Sequence, residues 1–160
     1  MRNLRSVPDP LTPEQIAAAL NLAPLPVEGG RWSQSFRDGS CSAIYYLLVA
    51  PEFSALHRLD RLEIYSYHAG APARLLVLDG DRVSEPVLGP DVAAGQRPQA
   101  VVPAGAWQGS TTLGAWTLMG TVVVPPYTDD TVEFAEAGPL CAAYPGHASR
   151  IRSLTPRGGR

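Results

Sequence analysis

The chain contains no lysine; its 13 basic side chains other than histidine are all arginine. A protein Schiff base, which needs a lysine amine, is thereby excluded. Charge of either sign is sparse, with 18% charged residues and a formal net charge of −2. The arginines are spread from Arg2 to Arg160 without a basic stripe that alternates with aromatics, so no nucleic-acid partner is expected. The group Arg150, Arg152, Arg157 and Arg160 reads as a solvated tail. No run approaches the ~20 apolar residues of a membrane span. The opening MRNLRSVPDP lacks the apolar stretch of a secretory leader, so a cytoplasmic location and no membrane partner are the expectation. The two cysteines, Cys41 and Cys141, lie far apart in sequence and read as reduced thiols rather than a disulfide. Only three histidines are present, His57, His68 and His147, which limits the imidazoles any metal site could draw on.

Apolar residues make up 45% of 160 positions, enough for one domain with a substantial core. That domain is expected at 11–155, with flexible ends at 1–10 and 156–160. TPEQ at Thr12 carries a threonine cap, proline at the first helical position and glutamine three residues after the cap, predicting a short N-terminal helix. Pro24, Pro26, Gly29 and Gly30 then stop the helix and launch extended chain. From Arg31 onward, short strand-like runs alternate with Gly, Pro and Asp: WSQSF, SAIYYLLV, FSALH, EIYSYH, ARLLVL, VSEPVL, QAVV and WTLMGTVVV. Such spacing predicts a mainly all-β sandwich or barrel. LDGDRV reads as a tight hairpin in which Asp79 and Gly80 tolerate positive φ. A polar loop spans 89–98, and a closing helix is predicted from Ala142 to Leu154.

Two segments carry candidate chemistry: HRLDRLEIYSYHAG from His57 to Gly70, and PAGAWQ from Pro103 to Gln108. Alternation sends every second strand residue to one face. If Glu63 points inward, so do Tyr65 and Tyr67, while Ser66 and His68 point away. A carboxylate beside an imidazole holds one tautomer and makes a usable base, whereas burial among tyrosines would push Glu63 toward its neutral form. By the same parity Trp32, Gln34 and Phe36 share one face, as do Tyr46 with Ile44 and Leu48, and Met119 with Thr117 and Thr121. Trp32, Gln34, Tyr46 and Met119 are further candidates for walls of a pocket. Arg31, Arg37 and Arg58 are expected to face away from it.

The two segments resemble the paired motifs of the cupin superfamily, in which a small barrel offers a histidine, a second histidine, a glutamate and a third histidine to one metal ion. His57 and Glu63 match; Leu59 stands at the second histidine and Gln108 at the third. The likeness extends over about Leu11 to Thr155 and is nearest to a family of short single-domain cupins of unknown function. It implies a double-stranded β-helix, or jelly-roll barrel, with short helices at both ends, commonly a homodimer, and it turns Gln108 inward. Relatives typically read DEIWHFYAG where this chain reads LEIYSYHAG, and PGFDFEDFE where it reads PPYTDDTVE.

With two of four metal ligands replaced, the resemblance implies a degenerate site: no cofactor, with at most weak divalent-metal binding through His57 and Glu63. The expected function is a metal-independent enzyme that cyclises or isomerises a small, largely apolar organic substrate inside the barrel. A pericyclic closure of a polyketide-like substrate in natural-product biosynthesis is one form of it. Catalytic groups would be His57, Glu63 and Gln108, and substrate would rest on Trp32, Gln34, Tyr46, Tyr65, Tyr67 and Met119. A non-catalytic binding cupin is the alternative. A sugar-nucleotide epimerase or metal-dependent lyase is a second, and it would want arginines converging on a pyrophosphate.

Overall fold

The computed structural model describes residues 10–156. The ends expected at 1–10 and 156–160, Arg157 and Arg160 included, lie outside these residues except for Pro10 and Pro156. Helix α1 (Pro13–Ala19) starts as predicted: the Thr12 hydroxyl accepts from the Gln15 amide and the Gln15 side chain accepts from the Thr12 amide. It stops where Asn21 takes a φ of 53° and Leu22 N–H turns back to the Ala17 carbonyl, a left-handed cap that asparagine tolerates.

The strands are β1 (Ala23–Pro24), β2 (Arg31–Arg37), β3 (Ser42–Val49), β4 (Phe53–Leu59), β5 (Leu62–Gly70), β6 (Ala73–Asp79), β7 (Arg82–Ser84), β8 (Val87–Leu88), β9 (Gln99–Val102), β10 (Trp107–Thr112), β11 (Trp116–Val124) and β12 (Val132–Phe134). One sheet runs β1-β2-β3-β11-β5-β9 and the other β12-β4-β10-β6-β7, with β8 also on β6. Early strands thus pair with late ones, β3 with β11 and β4 with β10, and the two sheets face each other as a jelly-roll barrel. Among the described residues no helix is long and apolar enough to cross a membrane.

Two apolar clusters form. The inner one gathers Tyr46, Leu48, Tyr65, Leu75, Val77 and Met119 between the sheets. The outer one packs Leu76 and Leu78, from the opposite face of β6, under Leu140, Ile151 and Leu154. Burial on both faces is why LLVL, Leu75 to Leu78, is a continuous apolar run rather than an alternating one.

Three local expectations change. The closing helix is not one element from Ala142 to Leu154 but α2 (Ala137–Ala143), a 3-10 turn at Pro145–His147 and α3 (Ala148–Ser153). Pro145 lacks an N–H and drives Tyr144 out of helical geometry. The hairpin forms, but Asp79 ends β6 opposite Arg82, and the two turn residues are Gly80 and Asp81, with positive φ at Gly80. VSEPVL divides at Glu85–Pro86 into β7 and β8. Cys41 and Cys141 are both free, as expected.

Because Leu154 is fully buried outside the barrel, Leu154→Ala should cost about 2–5 kcal/mol in urea unfolding. Ligand affinity of the folded variant should match wild type.

Candidate functional site

A cavity of about 470 Å³ opens inside the barrel. Six of the nine expected residues line it: His57 from β4, Glu63 and Tyr65 from β5, Tyr46 from β3, and Trp32 and Gln34 from β2. The other three do not. Met119 is wholly enclosed in the inner cluster, and Tyr67 packs against that cluster with its hydroxyl donating to the Gly70 carbonyl at 2.7 Å. Gln108, 1% exposed, lies behind the wall, where neighbours engage both its nitrogen and its oxygen. Its Nε2 donates to Glu63 Oε2 at 2.8 Å, and its Oε1 accepts from the Tyr65 hydroxyl at 2.8 Å. This order assigns the amide's orientation and makes Gln108 a positioning residue.

His57 is 2% exposed. Its Nδ1 lies 2.7 Å from the Ala55 carbonyl, an acceptor only, so Nδ1 carries the proton in the neutral ring and Nε2 is left bare. The tautomer is therefore held by backbone and not, as parity had suggested, by Glu63, whose bonded partner is Gln108. The carbonyl reaches the ring because β4 bulges at Ala55–Leu56 against β10, between the pairs Gln108 with His57 and Ser110 with Ser54. His68 faces outward over Gly120 and Tyr45, and His147 sits in the 3-10 turn.

Glu63 and His57 belong to opposite sheets and line the same void. Burial pushes the Glu63 carboxyl above the ordinary carboxylate range, His57 acts against that, and Glu28 adds to it. Burial likewise holds the Tyr46 and Tyr65 phenols well above their usual values, so both stay donors.

Sequence reasoning missed Glu28 and misplaced Arg37. Glu28 lies between β1 and β2 in a stretch that reads as a linker, yet its Oε1 accepts from Ser54 at 3.0 Å and stands 3.9 Å from His57 Nε2. The backbone that aims it is strained: Glu28 N–H bonds the Pro26 carbonyl across Val27, which has a φ of 66°, unfavourable for a β-branched residue. Next, a Cβ on Gly29 would come within 2.5 Å of the Phe53 carbonyl and one on Gly30 within 2.8 Å of the Tyr46 ring. A carboxylate followed by two glycines was the available signal. Arg37 lines the cavity because β2 bulges at Ser35: Gln34 pairs with Ile44 but Phe36 with Ala43. The extra residue reverses parity, so Phe36 turns to solvent and Arg37 turns inward. Arg31 and Arg58 stay off the cavity, Arg58 pairing with Glu133 over Trp107.

With this geometry in hand, comparison with known proteins places the chain. Residues 14–135 match the family described as Cupin superfamily (DUF985). This chain belongs to that family. An X-ray structure of a Shewanella oneidensis protein is 31% identical with a TM-score of 0.86, covering 91% of this chain and 98% of that one. A hypothetical protein from Leishmania major is 27% identical with a TM-score of 0.84, covering 91% and 99%. A cupin 2 conserved barrel domain protein from Rhodopseudomonas palustris, 19% identical with a TM-score of 0.58 over 82% of each chain, shares the fold. No protein of curated function matches in sequence.

The metal typical of cupins does not fit the residues present. Leu59 lines the cavity where a second imidazole would stand, and the Gln108 oxygen is already bonded by Tyr65. Among the described residues no three His, Cys, Asp or Glu side chains converge as a cage. One imidazole nitrogen with the carboxyls of Glu63 and Glu28, which do not converge with it as a cage, falls short of a catalytic metal's usual donor set.

Glu63 also sets a pH dependence. Its folded-state value lies above the ordinary 4.5, so the folded protein holds this proton more tightly than the unfolded chain. That contribution is present at low pH and is lost as pH rises from the mid-fours through the folded value. Glu63→Gln should therefore gain on wild type in urea midpoint as pH rises from the mid-fours. A difference independent of pH contradicts the assignment.

Proposed function

We propose that the cavity is the active site of a metal-independent enzyme that isomerises or cyclises a small, largely apolar organic molecule. The observation that carries this reading is the lock on His57: Nδ1–H is held by the Ala55 carbonyl, which leaves Nε2 bare on a ring that lines the same void as the buried carboxyl of Glu63. A base and an acid on opposite walls suit proton transfer through a substrate's π system. His57 Nε2 would take a proton from carbon next to an unsaturated carbonyl, and the C–H electron pair would move toward oxygen. Protonated Glu63 would donate a hydrogen bond to that oxygen from Oε1, since Oε2 already accepts from Gln108. The imidazolium would then return the proton to a second carbon, so one C–H bond breaks and another forms without net oxidation.

Positioned proton transfer contributes about 10²–10⁴-fold. Holding a reactive conformer against Trp32, Tyr46, Tyr65 and Ile44 contributes more, up to ~7 kcal/mol or beyond. A pericyclic closure of a polyketide-like polyene would use the same walls, with Glu63 as hydrogen-bond donor. Proton transfer is preferred because it employs both groups. A binding cupin without chemistry would keep the ligand and yield no product. A sugar-nucleotide epimerase fits less well, because among the described residues Arg37 alone of the arginines lines the cavity.

The test is deuterium exchange after chelation. Incubated in deuterium oxide with a panel of β,γ-unsaturated ketones and aldehydes, the wild-type chain should incorporate deuterium by NMR, and folded His57→Gln should be slower by about 100-fold or more. Loss of exchange on chelation with recovery on adding a divalent ion overturns the reading. So does a His57→Gln variant as fast as wild type.

A further inference from the structure

The inner positions of β2 change character along the strand: Trp32 is half-buried, Gln34 lies nearer solvent, and Arg37 stands exposed at the rim. Resting on the active-site reading above, we propose that the substrate carries a single carboxylate and that Arg37 recognises it.

Four observations support this. Among the described residues Arg37 is the only arginine lining the cavity. Its guanidinium is fixed but not used up: Nη1 donates to the Tyr127 carbonyl at 2.7 Å, one of five N–H donors the group offers. Among the described residues no carboxylate lies within 4.0 Å of it, although Arg58, Arg61 and Arg150 each have such a partner. Asp129 shares the rim but stands beyond that distance. Finally, Glu28 and Glu63 occupy the walls around His57. The acidic wall that Glu28 forms beside His57 and a positive group at the rim orient an amphipathic anion in one sense, carboxylate outward and apolar body toward Nε2. The planar fork matches a carboxylate's two oxygens. One arginine suits one such group, whereas a pyrophosphate would need several.

The bulge at Ser35 is what produces this arrangement. Without it Phe36 would face the cavity and Arg37 the solvent.

Matched probes test the proposal by calorimetric titration of the full chain: decanoate against decanamide, and 4-phenylbutanoate against 4-phenylbutanamide. Each acid should bind at least tenfold tighter than its amide, and more weakly as salt rises. Arg37→Gln should bring each pair to near equality. Arg37→Lys, which keeps the charge without the fork, should keep part of the preference and answers for any loss of folding in the glutamine variant. Arg31→Gln, a neighbouring arginine outside the cavity, should behave as wild type. Amides that bind as tightly as acids, a preference that survives in folded Arg37→Gln, or no acid binding at millimolar concentration would each overturn the proposal. The two readings fail separately. Exchange through His57 on neutral ketones with no acid preference removes the carboxylate and leaves the chemistry. Acid binding through Arg37 with no exchange does the reverse.

Discussion

Gln108 joins the two sheets through the barrel interior. It stands on β10 of one sheet, and both its partners, Glu63 and Tyr65, stand on β5 of the other. The donors run one way, from the Tyr65 hydroxyl to Gln108 Oε1 and from Gln108 Nε2 to Glu63 Oε2. A buried polar group without a partner costs several kcal/mol, so each member of this chain requires the others. The bridge sets the spacing between the sheets at the floor of the cavity and fixes where the Glu63 carboxyl points. It also accounts for an amide at the position of the third cupin histidine: the position that would hold an ion instead holds the walls.

A second link between the sheets lies at the loop before β2. The Glu28 carbonyl accepts from Ala55 N–H on β4, and the Tyr46 hydroxyl on β3 donates to the Gly29 carbonyl. The loop is therefore bound to both sheets while Val27 takes a left-handed conformation. Strain of this kind persists only where surrounding contacts over-determine it. Here they include a hydroxyl, a backbone amide and two glycines too crowded for a Cβ. At the opposite rim, Arg37 and Ser42 hold Tyr127 by its carbonyl and its amide, so the segment after β11 also borders the cavity.

Much of the barrel was legible along the chain. SAIYYLLV and WTLMGTVVV are strands residue for residue, and TPEQ capped α1 as read, because turn formers and hydrophobic period act locally. β10 and β12 were less visible: WQGSTT is mostly small and polar, and VEF is three residues long, so each is a strand chiefly through its pairing, β10 with β4 and β6 and β12 with β4. Glu63, Tyr65, Trp32, Gln34 and Tyr46, grouped by parity along their strands, line the cavity. Parity misplaced Arg37 because the period of two holds only until a bulge intervenes, and it could not see Glu28, which lies in no strand. Tyr67 and Met119 face inward but fall outside the cavity, since alternation gives a face and not a depth.

The amino-acid order alone determined that this chain forms short strands closed by glycine and proline turns, and that at most one imidazole would point into them beside a carboxylate. Those are properties of nearest neighbours and of composition. Tertiary structure decided which nitrogen of His57 is bare, which oxygen of Glu63 is engaged, and that Arg37 and Glu28 share the void with them. Each of these depends on pairing between strands: the Ala55 carbonyl, two residues from His57, is brought round by a bulge of β4 against β10, the Gln108 amide comes from β10, and Arg37 turns inward through the register between β2 and β3. Pairing across sheets sets distances of a few tenths of an ångström, and no local pattern along a single strand carries that information.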